Sequence, residues 1–199
     1  MENDLVNKSI KIEYLSTAWM AIEFVIALYS GIMAKSILLI AFGLDSFLEI
    51  IAGSMLIWRL KKQINGASNE SIEKAERITS ILVGIILILL SIYVTITSLM
   101  NLFGHGVADD SFSGIIIAIL SLIIMPFFII KKRQYGKALN SKALIEDSYC
   151  NVTCAYIAGT VLVGVVLNAL FGLWWADSVA ALILVYFIFS EGLEGVRGD

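Results

Sequence analysis

Residues Ala41 to Trp58 read AFGLDSFLEIIAGSMLIW, an apolar run suited to lipid that nonetheless carries two carboxylates, Asp45 and Glu49. On a helix, residues four apart project from the same face, about one turn above one another. Two ionised acids so placed repel each other and are costly to hold in a bilayer, so a cation, protons or a polar partner must accompany them. The stretch sets two expectations: a membrane-spanning helix, and an interior site for something positive.

The rest of the chain fits a membrane setting. Of its 199 residues, 59% are hydrophobic and 16% charged, whereas a soluble domain carries roughly a quarter charged residues. About 20 residues cross the hydrocarbon core. Six apolar runs of that length can be read, near 14–34, 37–59, 78–103, 112–130, 143–170 and 174–194. The expected fold is all-α, a single domain of six transmembrane helices over residues 1–199. The first two helices form a hairpin through a tight turn near Ala34 to Ser36, and FGLWW turns the fifth into the sixth. The polar segment RLKKQINGASNESIEKAER reads as a surface loop and a helix start. The fourth run holds the chain's only proline, Pro126, tolerable where neighbours satisfy the freed carbonyl. Gly43, Gly53, Gly159 and Gly164 are spaced for close helix packing.

Basic residues fall on one side of this arrangement. Lys8, Lys11, Arg59, Lys61, Lys62, Lys74, Arg77, Lys131, Lys132, Arg133, Lys137, Lys142 and Arg197 share the side of the N-terminus, and Lys35 alone lies on the other. The positive-inside pattern puts that first side, with both termini, in the cytoplasm. Trp58, Trp174 and Trp175 fall near the expected interfaces. MENDLVNKSIKIEY has no short apolar core with a cleavage site, so no signal peptide is expected, nor a soluble domain after residue 194. The two cysteines, Cys150 and Cys154, share one run and form no disulfide framework.

The fifth helix begins SKALIEDSYCNVTCAYIAG, where Glu146, Asp147, Cys150, Asn151 and Cys154 cluster. Cys150 and Cys154 repeat the spacing of Asp45 and Glu49. Helix two runs inward and helix five outward, and each pair sits about nine or more residues from its starting end, at about 1.5 Å per residue. All four side chains can therefore meet near mid-membrane. Two carboxylates and two thiolates supply four ligands in a shape that suits a tetrahedral dication such as Zn²⁺. Cysteines alone would read as small apolar residues; their pairing opposite two acids raises the ligand reading. A rival register exists, because Asp147 and Asn151 are also four apart and Asp147 shares a face with both cysteines. Asp147 could be a ligand, a group that orients a ligand, or a vestibule charge. Glu23, deep in the first run, either hydrogen-bonds the site, relays protons, snorkels or packs as a protonated acid. His105, Asp109 and Asp110 in the loop GHGVADD are candidate exit-side ligands, a solvated loop being the commoner outcome. Glu70, Glu73 and Glu76 suit the N-terminal dipole of the third helix.

With these motifs in hand, the sequence resembles the transmembrane domain of the cation diffusion facilitator family of zinc and manganese exporters. In that family the second and fifth of six helices each carry a His/Asp-x-x-x-Asp pair that forms the transport site. GLDSFLE resembles the second-helix motif, with Asp45 and Glu49 on its ligand positions. EDSYCNVTC resembles the fifth-helix pattern Asp-Ser/Ala-x-His-x-x-x-Asp, which puts Cys150 on the histidine and Cys154 on the aspartate. WWADSVAALILVYFIFSEGLEGV resembles the family's last helix, with Asp177 on its acidic position. No cytoplasmic metallochaperone-like domain is expected after the sixth helix, a pattern that resembles a smaller branch of the family, typified by an animal vesicular zinc transporter.

The resemblance implies a transporter, not an enzyme, that exports a metal ion from the cytoplasm as a homodimer in the bilayer. Zn²⁺ is the expected ion, Cd²⁺ an accompanying one, and Mn²⁺ less favoured because hard ions prefer oxygen. Protons are the expected counter-ion, since thiol and carboxyl ligands must lose protons to bind metal. A cell inner membrane is the expected location, with a vesicle membrane as the alternative. Two rival readings stand beside this one: a membrane thiol oxidoreductase using Cys150 and Cys154, and a non-transporting, metal-binding partner subunit. Side chains four apart on a helix point poorly for disulfide closure, and the redox reading leaves Asp45 and Glu49 unused. No phosphate-binding glycine loop is present, and nothing suggests nucleic acid as a partner.

Overall fold

The computed structural model describes residues 2–34, 37–104, 111–171 and 175–197, the side chains at 2, 37–38, 41, 164–170 and scattered positions of the last helix excepted. His105, Asp109, Asp110, Lys35 and Trp174 lie outside the described residues, as does the side chain of Asp177. The described residues form α1 (Glu2–Met33), α2 (Ile37–Ile64), α3 (Asn69–Gly104), α4 (Phe112–Leu139), α5 (Lys142–Phe171) and α6 (Ala176–Arg197).

The apolar runs are the middles of longer helices. At 36 residues, α3 is far longer than the roughly 30 Å hydrocarbon core requires at about 1.5 Å per residue. Its first turns are the polar segment before the apolar run. Hydropathy marks the immersed part of a helix, whereas hydrogen bonding and capping mark its ends. Thus α2 continues to Ile64 and closes at Gly66, whose φ of 71° admits the left-handed turn. Ala67 N–H bonds back to Lys62 O at 3.2 Å, and Ser68 then caps α3 by accepting from Ser71 N–H at 3.4 Å. Ser111 caps α4 through Gly114 N–H. At the other end of α4, Asn140 is left-handed at φ 50° and Ser141 opens α5, accepting from Leu144 N–H. Glu76 of α3 adds a second cap there, accepting from Ala143 N–H at 2.8 Å while it pairs with the buried Arg59 of α2.

The helices pack chiefly as α1 on α2, α3 on α6 and α4 on α5, with α2 and α5 in contact between these pairs. The α3–α6 approach is backbone on backbone: a Cβ at Gly84 would lie 2.7 Å from Gly192 O and from Val196 N. Gly43 lets α2 close on Leu28 of α1, whereas a Cβ at Gly159 would meet only Leu122 at 3.7 Å. Among the described residues, three helices are long and apolar enough to cross a membrane, over Asn3–Met33, Asn69–Gly104 and Phe112–Leu139. Large apolar side chains such as Tyr29, Ile92, Ile123 and Tyr186 face outward, as lipid contact demands. The interior holds many polar and charged side chains, Glu13, Glu23, Asp45, Glu49 and Asp147 among them.

Candidate metal centre

The buried face of α1 sets one wall. Val6, Ser9, Glu13, Ser16, Met20, Glu23, Ala27 and Ser30 are all buried, spaced alternately three and four residues apart. This is the seam of a helix packed at a shallow crossing angle. Small hydroxyl and acidic residues on that seam leave room and charge where α1 meets α2, α4 and α5.

Opposite that wall, α2 presents Asp45 and Glu49, 1% and 5% exposed, and α5 presents Cys154, fully buried. One ligand atom from each lies within 4.8 Å of the other two, so the three converge on one point. Asn151, one turn along α5, donates Nδ2 to Glu49 Oε2 at 3.4 Å. Asp45 Oδ2, Glu49 Oε1 and Asn151 Oδ1 are buried without a hydrogen-bond partner. Unpartnered buried oxygens are rare and call for an explanation.

Cys150 is not part of this convergence. It is buried in an apolar cluster with Ala52, Val83, Ile86, Leu87, Leu90 and Val94, facing α3. Four helical residues turn through about 400°, so a side chain one turn from Cys154 is rotated by about 40°. That suffices to put the two thiols in different surroundings. Both are free cysteines.

Glu23 flanks the centre as a hub of four donors from four helices. Its Oε1 accepts from Ser46 Oγ at 2.9 Å and from Cys154 Sγ at 2.8 Å. Its Oε2 accepts from Trp19 Nε1 at 2.8 Å and from Ser121 Oγ. Asp147 lies apart from the three converging groups. It accepts a hydrogen bond from Lys132 Nζ, which also lies 3.1 Å from Glu13 Oε2. Sequence reasoning missed Glu13 and Lys132, the first because it precedes the apolar run and the second because it read as a loop charge. The seam of α1 was the available signal, since Glu13 and Glu23 both lie on it. Glu76, expected to favour the dipole of α3 and solvate the loop, pairs with Arg59 and caps α5 as well.

A model of the cation efflux transmembrane domain matches residues 14–197. The manganese efflux system protein MneP of Bacillus subtilis is 27% identical over 184 residues, covering 85% of this chain and 60% of that protein. Transmembrane protein 163 of Xenopus laevis is 23% identical over 188 residues, covering 94% of this chain and 66% of that protein. The chain thus spans a little under two thirds of the length of these relatives. Its apolar helices, its buried acids and the match over residues 14–197 make it an integral multi-pass membrane protein of the cation efflux family, the cation diffusion facilitators, whose members transport divalent metal cations.

Proposed function

We propose that the chain exports divalent metal ions from the cytoplasm in exchange for protons, by alternating access at the buried centre between α2 and α5. Zn²⁺ is the preferred ion and Cd²⁺ an accompanying one. The observation that carries this reading is the convergence of Asp45, Glu49 and Cys154 within 4.8 Å, beside buried oxygens that lack partners. A cation would recover the cost of those bare lone pairs, and carboxylate with thiolate is a donor set that zinc accepts. Asn151 Oδ1, buried without a partner on an amide that reaches Glu49, is the candidate fourth donor, where the sequence reading put Cys150.

Exchange with protons follows from the ligands. Metal and protons compete for the same oxygens and sulfur. The proton-loaded and metal-loaded centres are each closer to neutral than the bare one, so those forms cross the barrier and the bare form is penalised. The distribution of basic residues supports six spans with cytoplasmic termini, and family membership supports a homodimer in a cell membrane.

Mn²⁺ is the second reading. A single sulfur among oxygens is harder than two thiolates, and one relative is named for manganese efflux.

Proteoliposomes loaded with a metal-sensitive dye under an imposed pH gradient test the proposal. Gradient-driven Zn²⁺ uptake that is lost in Asp45→Ala supports it. No flux of Zn²⁺, Cd²⁺ or Mn²⁺ by folded protein would sink it and favour the partner-subunit reading. Thiol-dependent activity that survives Asp45→Ala would favour the redox one.

A further inference from the structure

The centre does not use the buried triad of Glu13 on α1, Lys132 on α4 and Asp147 on α5, whose side chains are at most 3% exposed. The triad lies directly beside the centre. Asp147 is one turn from Asn151 and two from Cys154 along α5. On α2, Gly53 is one turn from Glu49, and a Cβ there would lie 3.7 Å from Glu13 Oε2 and 2.7 Å from Thr17 Oγ1. Along α2 the triad thus lies about one turn from the centre and along α5 about two, toward the end of the bundle where α1 and α5 begin and α2 and α4 finish. This is the basic end, with Lys61, Lys62 and Lys137 in the last turns of α2 and α4.

Two features separate the triad from a structural ion pair. One ammonium serves two carboxylates, and Glu13 Oε1 has no hydrogen-bond partner. Moreover, Thr17 Oγ1, Asn151 Oδ1, Glu49 Oε1 and Asp45 Oδ2 are, like Glu13 Oε1, among the buried oxygens without a hydrogen-bond partner. Packing for stability alone would not choose a buried triad of charges, which apolar residues of similar volume commonly replace without loss of stability.

We propose that Lys132 is a tethered cation that gates the basic-end approach to the metal centre. With its ammonium bridging Glu13 and Asp147, it ties α4 to α1 and α5 and occupies the position a cation must pass. When it leaves one acid, both carboxylates are free to hand a divalent ion along the unpartnered oxygens to Glu49. That the passage carries metal rests on the proposed function; that it is gated does not.

The test is the access of Cys154 in full-length protein in liposomes. In a Cys150→Ser background, labelling by a membrane-impermeant, cationic methanethiosulfonate is timed from each side of the membrane. The parent is compared with the triple variant Glu13→Gln, Lys132→Met, Asp147→Asn, which removes every charge of the triad and strands none. Lys132→Gln is read alongside it, so the result does not hang on the folding of one variant. A gate predicts labelling about tenfold faster or more in the folded variants, from the basic side alone, as the population shifts toward the open form. Unchanged labelling in the folded variants overturns the gate, and so does an equal rise from both sides, which is general loosening. Protection of Cys154 by Zn²⁺ in the parent is scored separately: its absence counts against the metal reading and leaves the gate standing.

Discussion

Asn151 donates Nδ2 to Glu49 Oε2 across 3.4 Å, tying α5 to α2 one turn from the point where Cys154 faces Asp45 and Glu49. The bond fixes which way the amide points: its donor is used on a carboxylate and its Oδ1 is left as a bare acceptor. An amide so oriented is the fourth donor we propose beside Asp45, Glu49 and Cys154.

In the proposed site, the carboxylates of Asp45 and Glu49 would supply the charge that a dication needs. Asp45→Asn and Glu49→Gln each keep the shape of the site and remove one charge. Each is expected to weaken divalent-ion binding about tenfold or more, or about 1.4 kcal/mol. Titration calorimetry in detergent reads this directly. Affinity unchanged in both variants would remove the centre from consideration.

The two cysteines should part company. Cys154→Ser trades the sulfur for a harder oxygen and is expected to lower the ratio of Cd²⁺ to Mn²⁺ affinity about tenfold. Cys150→Ser, in its apolar cluster on the α3 side, should leave that ratio unchanged. Equal losses in the two variants would restore Cys150 as a ligand.

Asn151→Asp brings an added carboxylate to the centre. In transport assays it should favour Mn²⁺ over Cd²⁺ relative to the parent, because hard ions gain most from anionic oxygen. Asn151→Leu instead strips Glu49 of its donor. It is expected to destabilise the metal-free protein by about 1–3 kcal/mol, measured as a lower midpoint in denaturant.

The α3–α6 contact depends on Gly84. A side chain there meets backbone rather than movable side-chain ends, at 2.7 Å from Gly192 O. Gly84→Leu should force the helices apart and cost about 3 kcal/mol or more, in the range of severe overpacking. Gly104→Ala, with nothing within 4 Å of the new Cβ, is the control. Thermal melts of the two purified variants decide the matter.

Metal removal gives an independent reading. A ligand that binds only the folded chain, at a hundred times its Kd, stabilises by about 2.7 kcal/mol. Adding the transported ion to chelator-treated protein should therefore raise the melting temperature, and Asp45→Asn should abolish the rise. An equal rise in that variant would place the bound ion elsewhere.

The apolar runs foretold the helices, and Asp45 and Glu49 stood out because a carboxylate in such a run is costly whatever surrounds it. Both signals are local, and so a sequence displays them. The extent of α3 was not displayed, because its first turns are polar and rest on a cap at Ser68 and on the contacts of Glu76. Nor was the choice among Asp147, Cys150, Asn151 and Cys154. Each residue turns a helix by about 100°, so the rotation of α5 against α2 decides which of them faces the acids. That rotation is set by packing against α1, α3, α4 and α6 together. The same packing carried Lys132, to all appearance a loop charge, into the interior between Glu13 and Asp147. Composition and periodicity determined a helical membrane bundle with Asp45 and Glu49 on one helix face; only the joint register of its helices determined which side chains meet those two acids.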